Sequence, residues 1–298
     1  MSLLKMATDM NSATPHLTHL DLFAGVGMFS LAARWAGVET VAFSEIHPYA
    51  NRILSNRFPH IENLGDVRKL CRRAGDCEPC EGEDEGGEVW CPRCEDYFGN
   101  CACVGTDQFT DEHGFPAIIS AGFPCQDVSV GSHTGTGVAG ARSGQFWEAL
   151  RVARELRPTF LLLENVPALR TRGADTILEA LGREGYAAEA FVVGANAVGG
   201  SHRRKRVWIA AYDTEFGIQG LRSGREQVAH SLAEPFVPVR GRDGQWQVEP
   251  DLRRSPDGDA AWMDRVACIG NAIVPQIPVH FFDWMREVTH SERFNKKG

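Results

Sequence analysis

Three chemically capable side chains flank apolar runs in this sequence: a thiol at Cys125 and a carboxyl at Glu164 follow one each, and a guanidinium at Arg206 precedes one. Cys125 follows Ala117–Ala121, an apolar, partly β-branched stretch, and Pro124 fixes the backbone φ one residue before it. A cysteine just past a strand of an α/β sheet sits where such folds bind ligands, which makes Cys125 a candidate nucleophile. The plainer reading is a small buried hydrophobe. Glu164 and Asn165 close the run Thr159–Leu163. Burying a carboxyl beside such a run raises its pKa and makes it a proton donor near neutral pH, although capping the next turn is the competing use.

A second set of residues has the spacing of a metal site. Cys77-x2-Cys80 and Cys91-x2-Cys94, ten residues apart, are two paired knuckles suited to a tetrahedral four-thiolate zinc. Four protein ligands leave no open coordination position, so zinc here is expected to be structural. Reduced surface thiols or a disulfide cluster are the other readings. Cys71, Cys101, Cys103 and His113 are spare candidate ligands for this insert, residues 71–113, which has few hydrophobic residues of its own.

These groups need a scaffold, and the rest of the chain reads as one. His19–Phe23 alternates and ends at Ala24-Gly25-Val26-Gly27, after which Met28–Trp35 reads as a helix. Strand, glycine turn and helix make the first unit of a nucleotide-binding α/β sheet, although the chain has a single G-x-G and not the full dinucleotide fingerprint. Thr40–Ser44 is a second strand with Glu45 at its carboxyl end, where an acid commonly accepts hydrogen bonds from a ribose. Leu64-Gly-Asp-Val67 offers another acid, Asp66, after a short third strand, an ordinary turn aspartate being the other reading. Further on, Phe146–Leu156 and Ala174–Glu184 are helical; Thr159–Val166, Ala187–Val193 and Arg206–Ala211 are strands; Gly270–Pro275 opens a last helix. The alternation predicts an α/β fold with a doubly wound, mostly parallel sheet. Ser129–Gly144, rich in glycine, serine and threonine, has the composition of a lid.

The chain has 298 residues and a formal net charge of −8, which at first argues against a polyanionic partner. Nine acids face one base, Arg93, between Asp76 and Asp96, so that segment accounts for the whole excess and the remainder is neutral. Ser201-His-Arg-Arg-Lys-Arg206 is dense enough to make a local basic face. No apolar run reaches the roughly 20 residues that cross a bilayer. Residues 1–16 lack the apolar core of a secretory signal and read as a loose leader. Nine cysteines are then expected in a reducing, cytoplasmic setting. The division expected is a catalytic domain over 17–212 plus 263–298, interrupted by the cysteine insert and by a small, loop-rich module at 213–262.

Phe23-Ala-Gly-Val-Gly27, Phe123-Pro-Cys-Gln126, Glu164-Asn-Val166, His202-Arg-Arg-Lys-Arg206 and Gly270-Asn271, in that order, resemble the motif series of the cytosine-C5 DNA methyltransferases. The resemblance spans Leu20 to Pro278, apart from the cysteine insert and the 213–262 module. It implies a Rossmann-like methyltransferase sheet, S-adenosylmethionine as cofactor, double-stranded DNA as partner and a small inserted target-recognition domain. A partner restriction endonuclease, a monomeric state and association with the nucleoid are expectations of the same kind. By this resemblance Phe23, Gly25 and Gly27 line the methionine end of the cofactor and Glu45 holds its ribose. Asp66 and Val67 approach the adenine, while Pro124, Phe146 and Asn271 complete the pocket.

The resemblance also assigns the catalytic roles. Cys125 adds to C6 of a cytosine flipped out of the duplex, Glu164 contacts N3 and the exocyclic amine, Arg206 binds O2 and Arg204 supports it or the backbone. Two features depart from the family pattern: His202 stands where a glutamine is usual, and the 213–262 module is short. A tRNA cytosine-C5 methyltransferase on the same motifs is the nearest alternative. A catalytically inactive, zinc-stapled DNA-binding or scaffold protein is the alternative of another class.

Overall fold

A computed structural model of the chain describes residues 16–71, 90–91, 96–97, 104–124, 144–216, 268 and 270–295. Its centre is made of runs that are buried on both faces: β1 (Thr18–Leu22), β8 (Ile118–Ala121) and β9 (Phe160–Asn165) are covered almost without interruption. Strands of this kind belong in a sheet covered by helices on both sides. With β2 (Glu39–Ser44), β3 (Glu62–Asn63), β10 (Tyr186–Val193) and β11 (Arg206–Asp213) they form a seven-stranded sheet in the order β10-β11-β9-β8-β1-β2-β3. All pairs from β3 to β9 are parallel, and β11 runs antiparallel to both β9 and β10. The chain leaves β1 towards β2 and β3, then returns to β8 and β9 on the other side of β1. That reversal is a topological switch point, and the crevice it opens lies at the carboxyl ends of β1 and β8.

Helices cover both faces, as the doubly wound expectation requires. Leu20, Leu22, Ile119, Ala121, Leu161, Leu163, Val207 and Ile209 pack on α4 (Gln145–Leu156) and α6 (Ala174–Arg183). Ile118, Phe160, Leu162, Trp208 and Ala210 pack on α1 (Met28–Trp35) and on the last helix, α7 (Gln276–Asn295). Trp208 is fully buried there and stacks on Phe281 with ring centroids 5.8 Å apart. Truncating such a ring to alanine costs about 3–5 kcal/mol. The remaining elements are short: α2 (Pro48–Arg57), α3 (Thr106–His113), α5 (Leu169–Arg172), and the two-residue strands β4 (Leu70–Cys71), β5 (Trp90–Cys91), β6 (Asp96–Tyr97) and β7 (Val104–Gly105). Among the described residues no helix is long and apolar enough to cross a membrane.

The short third strand expected before Asp66 is β3, and Val67–Lys69 after it forms a 3-10 turn. Asp66 caps that turn, its carboxylate accepting from Arg68 N at 3.0 Å.

One polar chain crosses the middle of the sheet. Ser120 Oγ donates to Asp21 Oδ1 at 3.0 Å, and the His19 ring joins Ser120 Oγ at 2.8 Å to Thr40 Oγ1 at 2.9 Å. With the serine hydrogen committed to Asp21, His19 Nε2 must donate to Ser120 and Nδ1 must accept from Thr40. This is a neutral ring, and complete burial agrees, holding the His19 pKa down at about 3. Asp21 Oδ2 accepts both Ser30 N, at 3.1 Å, and Ser30 Oγ, at 2.6 Å. The strand therefore caps α1 from outside, because Gly27 at the helix N-cap has no side chain to do so.

Candidate functional site

The carboxyl ends of β1, β2, β8 and β9 surround a cavity of about 480 Å³ at the switch point. Phe23, Gly25, Glu45, Asp66, Val67, Pro124, Glu164, Arg206 and Asn271 all line it. Two loops supply its floor. Phe23 and Gly25 both have φ of 55°, a conformation that a bulky residue such as Phe23 adopts only under strain. A Cβ placed on Gly25 would meet nothing within 4 Å, so its bare face opens on the cavity and a ligand can approach the backbone. Gly27 is a glycine for a different reason: a Cβ there would lie 2.7 Å from Phe58 and 2.9 Å from Leu54. It serves the packing of α1 against α2 and is not part of the cavity wall.

The acid after β2 fastens these loops together. Glu45 Oε2 accepts from Gly25 N at 2.7 Å, and Oε1 accepts from Ile46 N at 2.8 Å and His47 N at 2.7 Å. Oε1 is thus filled by two amides, while Oε2 keeps a lone pair for a hydroxyl donor. Asn63, which sequence reasoning missed, supports the same loop. Its Oδ1 accepts from Glu45 N and Gly65 N, each at 3.1 Å, and its Nδ2 donates to Glu45 O and Asn51 Oδ1, each at 3.0 Å. A position at the end of a two-residue strand gives no hydrophobic period to notice. Asp66 is held by Arg68, whose Nε lies 3.0 Å from both carboxylate oxygens. Burial works against the Asp66 charge, yet the Arg68 hydrogen bonds and charge outweigh it and keep this carboxyl below its usual range.

The opposite wall is built from side chains. Glu164, at the end of β9, is almost wholly buried, and desolvation raises its pKa from 4.5 to about 7 against the charges of Arg206 and Arg204. Arg206, the opening residue of β11, is brought there by the antiparallel register that sets Trp208 opposite Glu164. Its Nε lies 2.9 Å from Glu164 Oε1. The pair is close but not aligned as a hydrogen bond, and Oε1 has no hydrogen-bond donor among the described residues. A buried carboxyl with a spare oxygen at a cavity wall is ready to accept from, or protonate, a polar ligand. Asn165 ties this wall to the turn after β8, donating from Nδ2 to Phe123 O at 3.2 Å.

The profile of the family described as C-5 cytosine-specific DNA methylase matches residues 17–78 and 96–238. The chain belongs to the C-5 cytosine-specific DNA methylases. Over 104 residues it is 38% identical to the type II methyltransferase M.Sau3AI of Staphylococcus aureus, covering 32% of this chain and 25% of that protein. Over 203 residues it is 26% identical to the type II methyltransferase M2.BsuMI of Bacillus subtilis, covering 64% of this chain and 41% of that one. The chain thus spans less than half of either relative. A crystal structure of DNMT2 from Spodoptera frugiperda superposes with a TM-score of 0.46 at 17% identity, covering 66% of this chain and 50% of that one.

Not every residue expected at a methylase site reaches this cavity. Phe146 is buried in the core, where its ring backs Phe123 at 5.8 Å and so supports the wall from behind. Arg204 is also absent from the lining. It donates instead to the carbonyls of Gly270, at 2.8 Å, and Ala272, at 2.6 Å. Gly122, Phe123 and Pro124 line the cavity, while Cys125, next in sequence, lies outside the described residues. So do Ser129–Ser143, Cys77, Cys80, Cys94 and residues 217–262; Cys91 lies on β5, which pairs with β6. Sequence reasoning also missed His47 and Cys268, two further lining residues whose Nδ1 and Sγ are 4.0 Å apart.

Proposed function

We propose that this methylase transfers a methyl group to C5 of a cytosine extruded from duplex DNA. The observation that carries this reading is Glu164: buried at the cavity wall, protonated up to about pH 7 and paired with Arg206. S-adenosylmethionine supplies the electrophilic methyl when bound, and the residues present fit it. The bare face of Gly25 admits a ligand against the loop, and Glu45 Oε2 offers a free lone pair for a ribose beside it. Phe23, Asp66, Val67, Pro124 and Asn271 line the remaining wall.

Cys125, directly after Pro124, supplies the nucleophile. A thiol of ordinary pKa, about 8.5, is only a few per cent ionised at pH 7, so addition is coupled to loss of its proton. Its sulfur bonds to C6 while the ring's electron pair moves towards N3, where the Glu164 carboxyl gives up a proton. Arg206 holds O2. The C5 carbon, now electron-rich, would take the methyl, the donor sulfur keeping the bonding pair; a base then removes the C5 proton, the Cys125 sulfur leaves with its own bonding pair, and N3 returns its proton to Glu164, restoring the ring. A base inside a duplex is beyond the reach of such a site, which requires flipping and a lid over Ser129–Gly144. Residues 213–262 serve as the recognition module on this reading. A partner endonuclease follows the type II naming of the relatives.

Cys77, Cys80, Cys91 and Cys94 are proposed to hold one structural zinc, which metal analysis of the purified protein tests: about one zinc per chain is expected, and none would remove the site. The test of the function is incubation of plasmid DNA, and separately of bulk tRNA, with labelled S-adenosylmethionine, followed by bisulfite sequencing. Label at C5 of cytosine in a defined DNA sequence is expected. Label confined to tRNA would transfer the chemistry to another substrate, and label in neither would favour an inactive scaffold.

A further inference from the structure

Arg206 opens β11 and Arg204 stands two residues before it, yet the contacts of the two differ. Arg206 Nε faces Glu164, and its Nη1 donates to Lys205 O at 2.9 Å. Arg204 turns towards the segment before α7, where a single terminal nitrogen spans two carbonyls, Gly270 O and Ala272 O. That segment belongs to no strand. Among the described residues its other ties include Cys268 Sγ to His47 Nδ1 at 4.0 Å, Ala272 N to Cys268 O at 3.0 Å, Ile277 N to Val274 O at 3.1 Å and the burial of Ile273. Yet it contributes Cys268, Asn271, Ala272 and Ile273 to the cavity wall.

We infer that Arg204 is a positioning residue for the cofactor, holding residues 270–273 against the cavity, while Arg206 alone of the pair faces the reacting base. This rests on the cofactor reading proposed above. Charge-assisted hydrogen bonds to two carbonyls that no strand secures are strong enough to set where Asn271 stands. An ammonium can make the same two bonds from one nitrogen, so lysine is expected to substitute at 204.

The test measures S-adenosylhomocysteine binding by calorimetry without nucleic acid, using the full chain and Arg204→Met, Arg204→Lys and Arg206→Met. We expect R204M to raise Kd by about 10-fold or more, the loss expected of charge-assisted bonds. R204K should stay within about threefold of the parent, and R206M should do the same while losing methyl transfer. An R204M affinity equal to that of the parent would overturn the inference, as would R204K failing like R204M or R206M losing cofactor by the same factor. Should R204M melt below the assay temperature, R204K decides alone, and a tenfold loss there counts against the inference. If the parent protein binds no S-adenosylhomocysteine, the cofactor reading itself fails and takes this inference with it.

Discussion

The two walls of the cavity are made differently. On the β1–β3 side the polar work is done by backbone: Gly25, Ile46 and His47 amides converge on Glu45, and Asn63 satisfies the chain around it. On the β9–β11 side it is done by two charged side chains, and among the described residues Glu164 Oε1 has no hydrogen-bond donor. A wall with its groups already paired is preorganised for a ligand that always fits the same way. A wall with a buried, incompletely paired carboxyl is set for a partner that arrives later and takes up a proton. Binding and chemistry are therefore expected to respond to different substitutions.

The largest expected effect is on the second wall. Glu164→Gln keeps the shape but cannot donate as an acid does, so kcat should fall by about 10²–10⁴-fold. The Kd for S-adenosylhomocysteine should change little, and equal losses in both would merge the two walls into one. Next comes Gly27→Ala. Its Cβ would press on Phe58 and Leu54 at a φ of 79°, a combination of strain and overpacking that costs about 2–4 kcal/mol in denaturant unfolding. Gly25→Ala should instead spare the fold relative to G27A and weaken the cofactor, since only a ligand occupies the space its Cβ would enter.

A pH effect follows from Glu164. A carboxyl whose pKa is raised on folding binds its proton more tightly in the folded chain than in the unfolded one. Its contribution is complete below the ordinary value of 4.5 and is lost as pH rises through about 7. The parent should thus lose stability between those two values, and E164Q should lose less; parallel curves for the two proteins would contradict the burial. Asp21, raised to about 7 by complete burial against its Ser30 and Ser120 hydrogen bonds, acts in the same direction and remains in E164Q. The smallest effect belongs to Asn63→Ala, about 1 kcal/mol of stability for an exposed side chain with water to replace it, together with a modest loss of cofactor affinity.

Much of this was legible before any coordinates. Largely apolar runs ending in Glu45 and Glu164 announce strands whose carboxyl ends line the cavity, because a parallel sheet buries both faces and leaves its rim open to a ligand. Gly25 was legible as a turn glycine. That Gly27 serves Phe58 and Leu54 was not, since the contact is with α2, which carries no strong apolar period. Phe146 looked like a pocket residue from its motif position and proves to stand one layer behind Phe123. The His19–Ser120–Asp21 chain could not be foreseen, because its members pair only through the β1–β8 register. The Arg204 contacts were hidden for the same reason, as 66 and 68 positions separate their partners.

The central claim is that a sulfur after Pro124 bonds covalently to the base that Glu164 and Arg206 receive. Duplex DNA carrying 5-fluorocytosine at the methylated position blocks removal of the C5 substituent and should freeze that bond. Incubated with S-adenosylmethionine, the protein should form a complex that survives denaturing electrophoresis, with the crosslinked peptide mapping to Cys125. A folded, cofactor-binding protein that methylates the unmodified duplex but yields no such adduct, or yields one at another residue, would contradict the account.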